Sequence, residues 1–196
     1  MISHTHKCIF IHIPKCAGSS MALWMKNKMK SKPNKSIGLH THSRLKGFEE
    51  RLDNINDYFK FTFVRNPWAR VVSMHSYLKK RRDNGSKPAW YVNDDFNLFV
   101  GEQIWNEKNN RQSQLPLSLC SYVVDIKNFD FIGKTENLSD DLNSMCKCIG
   151  ISMGHFPNKN KSVYKNYTEF YDDATQKIIA DKYAKDIEMF EYKFGK

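Results

Sequence analysis

The chain has 196 residues, 40% hydrophobic and 13% aromatic, with 31 Lys and Arg against 21 Asp and Glu and a formal net charge of +10. That is apolar material for one folded domain. With only nine Gly and six Pro it is not a disordered, collagen-like or low-complexity linker protein.

No stretch approaches the roughly 18–20 apolar residues of a membrane span. The early apolar run from Ile9 to Ile13, broken by His12, falls short of the roughly 7–15 residues of a signal-peptide core. A soluble, cytoplasmic protein is therefore expected. Five cysteines (Cys8, Cys16, Cys120, Cys146, Cys148) form no disulfide framework, and the Cys146/Cys148 spacing fits neither a zinc ribbon nor a redox pair, so they read as reduced thiols. The positive surplus calls for an anionic partner: nucleotide, nucleic acid, acidic glycan or membrane surface.

Along the chain, Lys7 to Ile13 reads as a buried strand ended by Pro14. A helix through Met21, Leu23, Trp24 and Met25 follows, capped by Ser19 or Ser20, and Lys26 to Lys35 reads as a basic, solvated loop. Phe59 to Val64 is the second strand. Asn66 and Pro67 open a helix with Trp68, Val71, Val72, His75 and Leu78 on its apolar face, and Lys79 to Lys87 forms its charged end and a turn.

From Pro88 to Val124 the pattern is ambiguous, apart from a short helix around Phe96 to Val100. Phe129 to Gly133 reads as a third strand. Ser139 heads a helix that Gly150 stops, and Thr168 to about Phe190 reads as one final helix. Strand, loop and helix in alternation predict an α/β fold with a parallel sheet, in a single domain over residues 1–196.

The stretch Ile11-His12-Ile13-Pro14-Lys15-Cys16-Ala17-Gly18-Ser19-Ser20 carries the strongest chemistry. A strand delivers the chain to a loop of small residues that opens onto a helix N-terminus, where free N–H groups and the dipole favour an anion. Ala17 and Gly18 admit an oxyanion close to the backbone, Ser19 and Ser20 add hydroxyls, and Lys15 adds a point charge. A nucleoside-triphosphate P-loop would read GxxxxGK[ST], but here the Lys precedes the only Gly by three residues.

This pattern resembles the 5′-phosphosulfate loop of sulfotransferases that use 3′-phosphoadenosine 5′-phosphosulfate (PAPS), nearest the carbohydrate branch with the heparan 2-O and chondroitin 4-O enzymes and small bacterial relatives. The resemblance implies a P-loop-like three-layer α/β fold with a central, mainly parallel sheet flanked by helices. It gives Lys15 the charge on the transferring sulfuryl group. Cys16, Ala17, Gly18, Ser19 and Ser20 would form the donor cradle, with Cys16-Ala17 standing where relatives have Thr-Gly or Thr-Ala.

Phe61 to Ser73 (FTFVRNPWARVVS) is the second anchor. Arg65 stands at a strand's C-terminal end, where α/β folds bind ligands and where a guanidinium grips phosphate by two parallel bonds. The string resembles the family's 3′-phosphate site, in which the Arg and a Ser eight residues on bind the nucleotide; Arg65 and Ser73 keep that spacing. Phe131 to Leu138 is similar to the family's strand-to-helix Glu-Asn-Leu segment. Pro157 to Ser162, with Tyr164 and Tyr167, is similar to its stretch before the last helix, although Asn158 replaces a frequent His. The likeness weakens between Lys79 and Asn110.

Sulfuryl transfer needs an in-line acceptor oxygen, cationic donors and a general base. The resemblance implies PAPS as co-substrate, 3′-phosphoadenosine 5′-phosphate (PAP) as product and no metal, and no metal-ligand constellation is seen. Imidazole suits the base, its free pKa of ~6.5 lying near working pH. His4 and His6 lie in a loose start, His12 in the first strand reads as structural, and His75 falls on an apolar helix face. His40 and His42 remain as the candidates, with Glu136 a lesser one.

The acceptor reads as a carbohydrate, including anionic glycans. Animal members of the family are anchored Golgi proteins, and no such anchor is seen here. The alternatives are an ATP-dependent phosphotransferase on a related fold, or a non-catalytic binder of nucleotide or polyanion. Nucleic acid is not expected, because no basic patch is interleaved with stacking aromatics.

Overall fold

The structure, a computed structural model, describes residues 1–85, 92–103, 118–123, 126–157 and 166–196. Its elements in chain order are β1 (Ile2–Ser3), β2 (Cys8–Ile11), α1 (Gly18–Met29), α2 (Leu45–Glu49), β3 (Phe59–Val64), α3 (Pro67–Asp83) and α4 (Phe96–Leu98). A π-helical turn (Phe99–Gln103) continues α4, and β4 (Phe131–Lys134), α5 (Leu138–Cys148), α6 (Asp173–Lys182) and α7 (Ala184–Phe190) complete the set. The described residues fall into two compact units, 1–65 with 121–161, and 66–120 with 162–196.

The first unit holds the sheet, in the order β1-β2-β3-β4. β2, β3 and β4 run parallel, with Phe10 opposite Phe61 and Phe63 opposite Gly133, while β1 pairs antiparallel to β2. All four residues of β2 are buried, as expected of a central strand covered on both faces. Alternation sorts them. Cys8 and Phe10 join Phe61 and Phe63 beneath Met21, Trp24 and Met25 of α1 and Leu142, Met145 and Cys146 of α5. Ile9 and Ile11 face Leu45 and Phe48 of α2.

Helices, sheet and helix thus form three layers, and this unit is an α/β fold. Gly133 is required by packing, since a Cβ there would lie 2.4 Å from the Phe63 ring on the neighbouring strand. Burial in this core lifts the Cys8 thiol to about 12 and that of Cys146 to about 11, so both stay protonated, inert thiols.

Among its described residues the second unit is helical. Asn66 caps α3 by accepting from the Trp68 and Ala69 N–H groups, with Pro67 at the first helical position. Trp68, Val71, Val72, Met74 and Leu78 pack against Phe96, Phe99, Ile179 and Tyr183. The buried Asp186 carboxylate accepts from the Leu119 and Cys120 N–H groups at 2.6 and 2.8 Å. His75 is packed, as expected: its Nε2 donates to the Asn93 carbonyl at 2.8 Å and its ring lies against Phe96 and Phe99.

Several local expectations are corrected. Ser19 and Ser20 do not cap α1; Ala17 does, with no side-chain cap bond, and the helix runs on through Met29 into the segment expected to be loop. Ser139 lies inside α5, which starts at Leu138. The single last helix is three pieces: a 3-10 turn (Tyr167–Phe170), α6 and α7. Asp172 starts α6 with a capping box to Thr175, and the chain bends at Tyr183. β1 was not anticipated. Asn158 to Tyr164 and much of Pro88 to Val124 lie outside the described residues.

Candidate active site

Beyond β2 the backbone takes a left-handed conformation at Lys15 (φ 67°) and again at Ala17 (φ 55°). Neither residue is glycine, and each such position costs on the order of 1 kcal/mol, strain of the kind found at ligand sites. Alternating handedness of this kind builds the concave backbone amide cradles that bind anions. No acid stands in the first turn of α1, so nothing there opposes an anion at its N-terminus.

Gly18, the first residue of α1, has a packing reason to lack a side chain. A Cβ there would sit 1.8 to 2.6 Å from atoms of the His12 ring. His12, expected to be merely structural, therefore lies directly beneath the loop. Its ring stands 4.3 Å from that of His42, edge on, and its carbonyl accepts from His42 Nδ1 at 2.9 Å. Because a carbonyl only accepts, His42 Nδ1 carries the proton, and in the neutral ring Nε2 holds the lone pair.

Two cations share the loop. Arg65, just past β3, donates from Nη1 to the Lys15 carbonyl at 3.3 Å. Burial, with the Arg65 charge second, lowers the Lys15 ammonium to about 8. Burial first, then His42 and nearby positive groups including Lys15, pushes His12 down to about 3, so its ring stays neutral. A neutral imidazole and two half-buried cations beside a helix N-terminus make an arrangement that can receive anion charge.

The first unit thus brings together Lys15, Cys16, Ala17, Gly18, Ser19, Ser20, Arg65 and His42. Cys16 is buried with its Sγ 3.7 Å from the Pro14 carbonyl, Ser20 is buried and Ser19 exposed. His40 is exposed; its carbonyl accepts from Asn34 Nδ2 at 3.0 Å, and among the described residues no contact joins its imidazole to the loop. Glu136 is exposed in the turn after β4. Ser73 is buried on α3, in the second unit. The residue that sequence reasoning passed over is His12. Its signal was position: a polar residue interrupting a buried run just before Pro14 and Lys15.

Carbohydrate sulfotransferase 11 of Rattus norvegicus is 27% identical over 239 residues, covering 98% of this chain and 66% of its own length. Carbohydrate sulfotransferase 9 of Homo sapiens is 27% identical, with 97% of this chain and 52% of its own length matched. This chain therefore spans just under two thirds of the first and about half of the second.

An uncharacterized protein of Archaeoglobus fulgidus is 37% identical over 95 residues, 48% of this chain and 69% of that one. Among solved structures, a sulfotransferase from Alicyclobacillus acidocaldarius aligns over 94% of this chain and 96% of its own, at a TM-score of 0.46 and 13% identity. The model of the Sulfotransferase family matches residues 1–193, which include the Lys15 loop, Arg65 and the whole sheet. By that match over nearly its entire length, the chain belongs to the sulfotransferase family.

Proposed function

We propose that this chain, acting as one sulfotransferase domain over residues 1–196, moves a sulfuryl group from PAPS to a hydroxyl of a carbohydrate. The carrying observation is the loop at Lys15: left-handed at two non-glycine residues, closed on His12 at Gly18, and flanked by Arg65. The names of the relatives from rat and human support the carbohydrate acceptor, and the basic surplus supports an anionic one.

In this reading the residues from Cys16 to Ser20 hold the 5′-phosphosulfate, and Arg65 with Ser73 takes the 3′-phosphate. The acceptor oxygen attacks sulfur in line. The bond from sulfur to the bridging oxygen breaks, and its electron pair stays on that oxygen, which leaves as part of the PAP phosphate. Lys15 faces the charge growing there. The acceptor's proton passes to an imidazole nitrogen, and of the two candidates His42 is favoured, since it stands at the loop with Nε2 as its basic atom.

The test is calorimetric titration with PAP, ADP and Mg-ATP. Micromolar or tighter PAP binding without added metal, with much weaker ADP, is the expected result. Clear Mg-ATP binding with none of PAP would overturn the reading.

A further inference from the structure

His12 has no part in the reaction as just drawn, yet its ring lies against Gly18 of the loop and against His42. Its ring fills the space that a side chain at Gly18 would need, stacks on Phe10 with centroids 5.9 Å apart and planes 24° apart, and meets the His42 ring edge on at 4.3 Å. Packed against all three, residue 12 cannot turn, and its carbonyl is held toward His42 Nδ1 at 2.9 Å. A neutral imidazole left to itself in water prefers to carry its proton on Nε2. The carbonyl reverses that preference, because only the Nδ1–H form makes the bond.

Resting on the proposed function, we propose that His12 is a positioning residue: by its packing under Gly18 it presents its carbonyl to His42, selects the tautomer with a basic Nε2, and so ties the general base to the phosphosulfate loop. Its own ring does not compete for the proton, because partial burial, and then the neighbouring His42 and other positive groups, keep it neutral. The loop and the base then form one rigid piece.

The experiment labels histidine with 15N and reads the His42 tautomer from two-bond proton–nitrogen spectra, alongside kcat with PAPS and Kd for PAP. The native chain should show His42 as Nδ1–H. In His12→Ala the tautomer should shift toward Nε2–H and kcat should fall at least about tenfold, while the PAP Kd stays within about threefold. His12→Phe, which keeps a ring against Gly18 and leaves the carbonyl in place, should restore both readouts to within about threefold of native.

An Nε2–H tautomer in the native chain would overturn the proposal, and so would His12→Ala with native tautomer and native kcat. A folded His12→Phe as slow as His12→Ala would also overturn it, by giving the ring nitrogens a direct role. Should His12→Ala fail to fold, the native chain and His12→Phe decide between these outcomes. Absence of sulfuryl transfer by the native chain would overturn the functional reading and the catalytic half of this inference, while the spectra still decide the tautomer.

Discussion

Lys15 holds an ammonium where folding alone would not keep one. Burial and the neighbouring Arg65 lower its pKa from the ordinary 10.5 to about 8. Between those values the unfolded chain binds more protons than the folded one, so stability rises with pH through that window, and below about 8 the folded chain carries the full penalty. Lys15→Met should therefore be more stable than the native chain at pH 7, by on the order of 1–2 kcal/mol after allowance for solvent at this half-buried site, and lose that advantage near pH 10.5. Urea unfolding at the two pH values measures it.

The same substitution should remove most activity, the usual exchange of stability for function at a charged site. Anion binding works in the opposite direction. PAP at the loop should raise the Lys15 pKa, so binding near pH 8 should take up protons, seen as a dependence of the calorimetric heat on the buffer's ionisation enthalpy. Proton release would remove Lys15 from the site.

At the scale of elements, the cap of α3 is the most exposed test of the second unit's stability. Asn66 accepts from two first-turn N–H groups, and its Nδ2 donates to the Tyr167 hydroxyl at 3.2 Å and the Lys193 carbonyl at 3.0 Å. Asn66→Ala should cost about 1–2 kcal/mol from the cap and more from the orphaned carbonyl, whereas Asn66→Asp should keep the cap but turn a buried carboxylate oxygen toward the Lys193 and Lys196 carbonyls, a repulsion that costs stability on the Nδ2 side alone. Chemical denaturation of both variants separates the two terms.

This cap was legible in the sequence because Asn-Pro before an apolar face is a local signal, complete within three residues. The strands at Phe59 and Phe131 were legible for the same reason, as short apolar runs between turns. The start of α1 was not, because Ala17 takes up a left-handed conformation that no residue type announces; the loop is bent by what it packs on, not by its own composition. The break at Tyr183 was likewise hidden, since the apolar stripe continues from Ile179 to Ile187 across it. His12 escaped because its role depends on Gly18 and His42, which only the fold brings to it.

Over the whole molecule, charge is unevenly shared between the two units. The first holds 17 Lys and Arg against 9 Asp and Glu, the second 14 against 12. Before Glu49 there is no acid at all, so the Lys15 loop, His42 and the exposed Lys26, Lys28, Lys30, Lys32 and Lys35 belong to a stretch of one sign. Such a field acts on a polyanionic nucleotide before contact, over roughly a Debye length of about 10 Å at 0.1 M salt.

It should show in the association rate. Stopped-flow kinetics of PAP binding should give an association constant that falls several-fold between about 20 and 200 mM salt, with dissociation nearly unchanged. Replacing Lys26, Lys28 and Lys30 together by Gln should flatten that dependence and leave dissociation alone, since none of the three belongs to the loop proposed to hold the nucleotide. If salt acts on dissociation instead, the affinity comes from ion pairs made in the bound state, and the lysine-rich stretch after the loop is a solvated surface that guides nothing.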